Sequence, residues 1–493
     1  MEYVRKKLVE EALREGYNLT LEAISTLESL QNPIEVLREV IKYLKTTKPD
    51  VIVINNEHIG EVGSKTVESA YAFSEVVFEK SLLKEWTPSI DIDERYLKHY
   101  EIEGKIVEFQ NYFNSRYAKL KNILEQRGGP SSRLTDALKS LKGTELFLVV
   151  MLLEKKETEQ SVILEVEDNT STTRIVIPKK DSELIKKAEK LLLDQVFGVR
   201  VVKINNTLIP RDIFLPDIPI KSRRIDREAP EVSIVLVSDL HVGSKKFRRD
   251  SWEEFLDWLN NSRDPEAKRV GYLLIAGDIV DGVGIFPHQE KELEYTSVVQ
   301  QIEELNRLLS EIPKHIKVII SVGNHDPVEK ALPQPPLSKK YRAMLEKDRE
   351  YVFIGNPASI KVEGRRLLVY HGQSLDDIIQ HLPNVSYSIL GREIKNVLEV
   401  LLQCRHLAPI YGENTPILPT PEDLLVIEDV PDIVHTGHVH VAYVGNYREV
   451  LLVNSGTWQD QTSYQRELGL EPTVGTMVLV DLKTLTAKLK KFT

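Results

Sequence analysis

The sequence predicts an α/β protein of more than one domain. Three observations carry this. The chain has 493 residues, too many for one ordinary core, so two or three domains are expected. Apolar residues recur at helical spacing near the N-terminus, and short β-type runs replace them from about residue 144. From about residue 230 to the end, apolar strands alternate with helical segments such as Trp252–Leu259 and Val298–Leu309, the pattern of an α/β domain.

Residues 1–60 read as a small helical domain. Asn32-Pro33-Ile34-Glu35 is a helix start, with Asn as cap, Pro in the first turn and Glu three residues after the cap. Ile34, Leu37, Val40, Ile41 and Leu44 then mark one apolar face. Residues 61–104 show no sustained period and read as a linker. A second helical pattern, Ile106 to Leu124, carries Phe109, Tyr112, Phe113, Tyr117 and Leu120, and Gly128-Gly-Pro-Ser-Ser132 ends it.

Next come strand-like runs at Leu146–Leu153, Val162–Val166 and Arg174–Ile177. A helical stretch from Ser182 to Leu193 separates them from two more, Gly198–Ile204 and Leu208–Phe214. Three strands, a helix and two strands is the order of an OB-fold barrel, so residues 105–225 read as a helical lead-in plus that barrel. No row of exposed aromatics crosses its strands, which favours docking over single-strand binding.

Composition narrows the function classes. With 41% hydrophobic and 28% charged residues, the chain reads as soluble and globular, and no apolar run is long enough to span a bilayer. The N-terminus is a charged amphipathic pattern rather than a signal peptide. A single cysteine, Cys404, excludes an internal disulfide and a cysteine-based zinc site, which points to an intracellular protein. The net charge of −10 argues against a wholly basic nucleic-acid binder, although Lys221, Arg223, Arg224 and Arg227, and then Lys245, Lys246, Arg248 and Arg249, form local basic clusters.

The region from 226 to 493 holds ten of the twelve histidines, so chemistry is sought there. Five strand-like runs end in polar residues. Ile234–Val237 leads to Asp239 and His241, and Tyr272–Ala276 to Gly277-Asp278 with Asp281 three residues on. Val318–Val322 leads to Gly323-Asn324-His325-Asp326, and Leu367–Tyr370 to His371-Gly372. Ile433-Val434 leads to His435-Thr-Gly437-His438-Val-His440. Ligands of open α/β sheets gather outside the carboxyl ends of the strands. Any one of these segments alone is a polar loop; the five together supply the seven or so oxygen and imidazole donors that a pair of metal ions needs. Without a counter-ion, several clustered carboxylates would repel one another. His435, inside its strand, is expected to be buried rather than ligating, and Asp281 to orient a loop.

The ordered set Asp-x-His, Gly-Asp, Gly-Asn-His-Asp, His and Gly-His-x-His resembles the motif series of the calcineurin-like metallophosphoesterases. Arg405-His-Leu-Ala-Pro-Ile-Tyr-Gly412, Tyr370-His-Gly-Gln-Ser-Leu-Asp-Asp377 and Gly456-Thr-Trp-Gln-Asp-Gln-Thr462 are similar to the small subunits of the archaeal family D replicative DNA polymerases. This likeness covers roughly residues 105–493. It implies a phosphoesterase β-sandwich flanked by helices over 226–493, preceded by the OB-fold and the N-terminal helices. It further implies a 3′–5′ proofreading exonuclease with two divalent ions. Asp239, His241, Asp278 and His440 would hold one; Asp278, Asn324, His371 and His438 would hold the other. His325 would be the catalytic histidine, oriented by Asp326. Nitrogen and oxygen donors without sulfur suit Mn²⁺, Fe²⁺ or Zn²⁺, and the resemblance favours Mn²⁺.

The implied partners are a large polymerase subunit and a primer 3′ end, with a sliding clamp as a further candidate and no membrane. Lys245, Lys246, Arg248 and Arg249 are candidate DNA contacts, since phosphates are met mainly by Arg and Lys. His406 is either structural or part of the nucleic-acid track. Two alternatives are a non-catalytic scaffold and a free-standing phosphoesterase or repair nuclease.

Overall fold

The computed structural model describes residues 2–28, 33–48, 51–59, 86–205, 207–220, 230–261 and 263–493. It divides into two compact units, Met1–Glu85 and Trp86–Thr493. In the first, helices Glu2–Arg14, Leu21–Glu28 and Pro33–Thr47 surround a core of Leu8, Leu27, Leu37, Val40 and Leu44. A parallel pair, β1 (Asn18–Leu19) and β2 (Val53–Ile54), completes it. The apolar stripe read at Leu37, Val40 and Leu44 is buried. The expected cap Asn32 lies outside the described residues, as do Lys221, Arg223, Arg224 and Arg227.

The stretch read as a linker, 61–104, is not one over its described part. Its residues 61–85 lie outside the described residues, but from Trp86 onward the chain is packed. The Trp86 ring stands edge-on to Tyr272 at 5.2 Å, and its Nε1 donates to Glu363 at 2.9 Å. The strand β3 (Ile90–Ile92) then joins a sheet of the second unit. Three residues are too few to show a period, which is why this strand is not legible in the sequence.

Helix Ile106–Gly128 buries Tyr112, Arg116, Tyr117, Leu120 and Leu124, a stripe at helical spacing. Behind it, β4 (Glu145–Glu157), β5 (Ser161–Glu167), β6 (Thr172–Pro178), β7 (Val196–Ile204) and β8 (Thr207–Phe214) close into a barrel of order β4-β5-β6-β8-β7. Strand β5 alternates buried and half-buried residues, as a barrel wall requires. Val150, Leu164, Ile175, Phe197 and Val199 fill the interior. Between β6 and β7 runs helix Ser182–Glu189, capped by Asp181, which accepts from the Leu184 N–H.

The remaining strands are β9 (Ser233–Val237), β10 (Val270–Ala276), β11 (Lys317–Ser321), β12 (Val352–Phe353), β13 (Ala358–Val362), β14 (Arg365–Val369), β15 (Ile433–Thr436), β16 (Tyr443–Tyr447), β17 (Val450–Asn454), β18 (Thr476–Asp481) and β19 (Ala487–Lys491). They form two six-stranded sheets, β12-β11-β10-β9-β18-β19 and β16-β17-β15-β14-β13-β3. Every residue of β9 and β10 is buried, so both faces are covered. Helices Arg249–Leu259 and Val298–Ser310 cover one face through Trp252, Phe255, Ile302 and Leu305. The other face meets the second sheet, where the Tyr272 hydroxyl reaches Glu363 (2.5 Å) and Thr476 donates to the Ser455 carbonyl (2.8 Å). Helices Leu375–His381 and Leu390–Cys404 pack on the second sheet with Leu368, Val434 and Leu452. The lysine-rich C-terminal strand β19 lies at the sheet edge, antiparallel to β18.

Parallel pairing sets β9, β10 and β11 side by side with their carboxyl ends together, and β14 and β15 likewise. The polar segments following these five strands meet there.

Candidate metal centre

The loops after these strands turn sharply. Asp239 (φ +53°), His241 (+51°), Asp278 (+49°), His438 (+68°) and His440 (+56°) all occupy the left-handed region. Each such residue costs on the order of 1–3 kcal/mol and persists only where its surroundings dictate it. Here backbone bonds do so: Asp239 N–H donates to the Gly277 carbonyl and His241 N–H to that of Asp278, both at 3.0 Å. The His438 N–H donates to the Asp239 carboxylate at 3.0 Å, and Trp458 N–H to the Asp239 carbonyl at 2.9 Å. Glycines permit the close approach. A Cβ on Gly437 would lie 2.3 Å from Asp239 Oδ2, and one on Gly277 would lie 2.7 Å from His371 Nδ1.

The seven candidate ligands converge. His241 Nε2 lies 3.1 Å from His440 Nε2, and Asp239 Oδ1 lies 3.4 Å from His440 Nε2 and 3.9 Å from His241 Nε2. His371 Nε2 lies 3.1 Å from Asn324 Oδ1 and 3.2 Å from Asp278 Oδ2. Asp278, His371 and His438 bring donor atoms within 4.8 Å of one another, as do Asp239, His241 and His440. Asp278 Oδ2 is also 3.8 Å from His241 Nε2, so this carboxylate stands between the two groups.

Each histidine has its other nitrogen engaged outside the cluster. His241 Nδ1 donates to Asp281 (3.1 Å), His371 Nδ1 to the Ala276 carbonyl (2.9 Å) and His438 Nε2 to Asp376 (2.8 Å). His440 Nδ1 lies 2.8 Å from the Gln465 amide. Such partners fix the ring orientation and, for the three donors, leave one nitrogen facing inward, the arrangement that orients metal-binding histidines. The charge balance agrees. Burial disfavours the imidazolium at His241 and His371, yet the surrounding carboxylates outweigh it and raise these pKa values to about 9 and about 10. Burial likewise opposes ionisation of Asp278, but His371 and His325 hold its pKa well below the ordinary value. The interior therefore demands positive charge, and its nitrogen and oxygen donors fit a pair of divalent cations.

His325 sits beside this cluster, its ring edge-on to that of His241 at 4.7 Å. The group that holds its ring is not the one expected. Asp326 is expected from the sequence to orient His325, but its carboxylate accepts from the Gly323 (2.8 Å) and Val280 (3.2 Å) N–H groups and so shapes the loop. The His325 ring is held by the Asp281 carbonyl, 2.8 Å from Nδ1. Asp281 thus serves two histidines, through its carbonyl and its carboxylate. Gln459, from the Gly456–Thr462 segment, and Gln289 each donate to that carboxylate at 2.9 Å. Burial lowers the His325 pKa to about 4 against the pull of Asp278, so the resting ring is neutral.

Other candidates resolve individually. His435 is buried and shares a 3.0 Å hydrogen bond with Ser455. Of the basic residues, Arg248 pairs with Asp250 and Asp460, Arg249 with Glu304, and Lys245 donates to the Lys291 carbonyl. The arginines are thereby engaged within the chain, while Lys245 and Lys246 remain at the surface. Sequence reasoning misses Asp376, Gln465 and Lys330. Two of these contact candidate ligand histidines directly, and Lys330 touches the backbone of Asn324.

The Arg405–Gly412 segment is a joint rather than a nucleic-acid track. Arg116, fully buried on helix Ile106–Gly128, donates to Asp423 (2.8 Å), the Pro409 carbonyl (2.8 Å) and the Asp194 carbonyl ahead of β7 (3.4 Å). His406 accepts from Ala408 N–H at Nδ1 (3.0 Å) and donates from Nε2 to Asp423 (2.9 Å), the pattern of a neutral ring. Burial and neighbouring Arg116 lower its pKa to about 4. Tyr411 packs on Phe113, and its N–H donates to the Asp194 carboxylate. Replacing Arg116 by Ala strands Asp423 in the interior and is expected to cost about 3–5 kcal/mol. Denaturant unfolding of the variant measures this, and a loss below about 1 kcal/mol would show the joint to be dispensable.

The chain is similar in sequence to known proteins over most of its length. Residues 234–444 match the family described as the B subunits of DNA polymerases alpha and epsilon. The DNA polymerase II small subunit of Archaeoglobus fulgidus is 41% identical over 382 residues, covering 76% of this chain and 75% of that protein. That of Methanothermobacter thermautotrophicus is 34% identical over 482 residues, 94% of this chain and 95% of the relative. That of Pyrococcus horikoshii is 40% identical over 392 residues, 78% of this chain but 62% of its own length. With strand ends, donors and relatives all in agreement, the chain belongs to the family of archaeal DNA polymerase II small subunits.

Proposed function

We propose that this chain hydrolyses phosphodiester bonds at DNA 3′ ends and proofreads for a separate large polymerase subunit. The observation that carries the reading is the convergence of seven donors from five loops, with the histidine orientations set by partners outside the cluster. In this reading Asp239, His241, Asp278 and His440 hold one ion, and Asp278, Asn324, His371 and His438 the other. Manganese is the expected metal. Bound there, divalent ions would supply Lewis-acid activation of the attacking water and of the scissile phosphate.

The protein's own groups do the rest. Asp281, Ala276, Asp376 and Gln465 keep the four rings in place, so little reorganisation accompanies reaction. His325 is neutral at rest with its Nδ1–H on the Asp281 carbonyl, so Nε2, which has no partner among the described residues, would first take a proton from solvent and then pass it to the leaving 3′ oxygen, returning the ring to its neutral form. The Asp281 carbonyl stabilises the ring while it is cationic. The domain is read as a calcineurin-like phosphoesterase and the barrel as an OB-fold, with the same strand order. Several barrel cations are already paired, Lys156 with Glu154, Arg174 with Glu165 and Lys187 with Asp212, which supports protein docking over a bare DNA-binding wall.

A primer labelled at its 5′ end tests the reading. With Mn²⁺ the expected product is a ladder shortened stepwise from the 3′ end, abolished by chelation. An intact strand under saturating Mn²⁺ would favour a non-catalytic scaffold.

A further inference from the structure

We propose that Lys330 is a substrate-binding residue that grips a phosphate of the DNA strand beside the metal centre. This rests on the nuclease reading given above. The Lys330 ammonium donates to the Asn324 carbonyl at 2.5 Å, and the Asn324 side chain lies 3.1 Å from His371 Nε2. The charge is therefore one residue's backbone away from a candidate ligand. Lys330 also lies at the exposed rim rather than within the cluster.

Like Lys245 and Lys246, this cation has no carboxylate partner among the described residues, but it is the one whose ammonium rests on the backbone of a candidate ligand. Arg248 and Arg249, on another loop at the same end of the sheet, are neutralised by Asp250, Asp460 and Glu304. The adjacent Glu329 turns away to His99, 2.8 Å distant. Asp278 and Asp326 act on Lys330 electrostatically. Asp278, however, is the carboxylate placed to serve both metal groups, and Asp326 is committed to two backbone N–H groups. A strand entering the centre brings non-bridging phosphate oxygens on both sides of the bond to be cut. An ammonium on a flexible stem meets one of them as a point charge, without needing a fixed fork geometry.

Salt dependence reads such a contact directly. Each phosphate neutralised on a single strand contributes a slope of about −0.7 to log affinity against log salt concentration. Binding of a single-stranded oligodeoxynucleotide would be measured with manganese present, in the full chain carrying H325A so that the strand is not consumed. Adding K330M should reduce the slope by about 0.7 and weaken binding about 5-fold at about 0.1 M salt. K330R should retain most of the slope. An unchanged slope in K330M overturns the proposal. So does loss of bound manganese in K330M, because the lysine would then only brace the Asn324 loop. Hydrolysis of bis(p-nitrophenyl) phosphate by the unmodified chain separates the two readings: its absence refutes the nuclease assignment and leaves the slope as an independent result.

Discussion

His325→Ala should reduce 3′-end cleavage by about 10²–10⁴-fold, the range for loss of a positioned proton-transfer group, while leaving metal content intact. The geometry separates the two effects. The His325 side chain binds the Asp281 carbonyl through Nδ1 and stands beside His241 without sharing its inward-facing nitrogen. The link from this residue to the proposed metal bridge is the His325 backbone N–H, 2.8 Å from Asp278 Oδ1, and alanine keeps that group. Asp326, which secures the loop through Gly323 and Val280, is also untouched. Cleavage rate and bound manganese, measured on the same preparation, check this. Cleavage at the wild-type rate would remove His325 from the reaction.

Asp278→Ala should be more severe and of a different kind. This carboxylate is 2% exposed, and its Oδ2 stands 3.2 Å from His371 Nε2 and 3.8 Å from His241 Nε2. A carboxylate placed in this way would support both proposed ions, so its removal should empty both positions rather than one. Cleavage should fall below that of His325→Ala. Asp278→Asn keeps the shape and one oxygen but loses the charge, and should retain manganese weakly. Metal analysis after dialysis distinguishes these outcomes, and two tightly held ions in Asp278→Ala would refute the bridging role.

Much of the centre is legible in the sequence because strand periodicity and polar punctuation coincide. An apolar run followed by Asp239-Leu-His241 or Gly437-His438-Val-His440 shows where a sheet ends and where donors begin. Outer partners are not legible, because they depend on packing between distant segments. Asp376 and Asp377 are neighbours on one helix, yet Asp376 holds His438 while Asp377 accepts the Asn414 and Thr415 N–H groups. Nothing in their types separates them. The same holds for Asp326 and Asp281, whose roles toward His325 are the reverse of what their spacing suggests. Arg116 reads as one more helix cation, although its partner Asp423 is 307 residues away. The conversion of Arg405–Gly412 from a motif into a joint follows from that contact.

The proposed centre is binuclear and built on Asp278. Anomalous diffraction from crystals grown with manganese tests it most directly. Two peaks are predicted, one against Asp239, His241 and His440, the other against Asn324, His371 and His438, with Asp278 contacting both. A single peak at saturating manganese, or two peaks that do not share Asp278, would contradict the account.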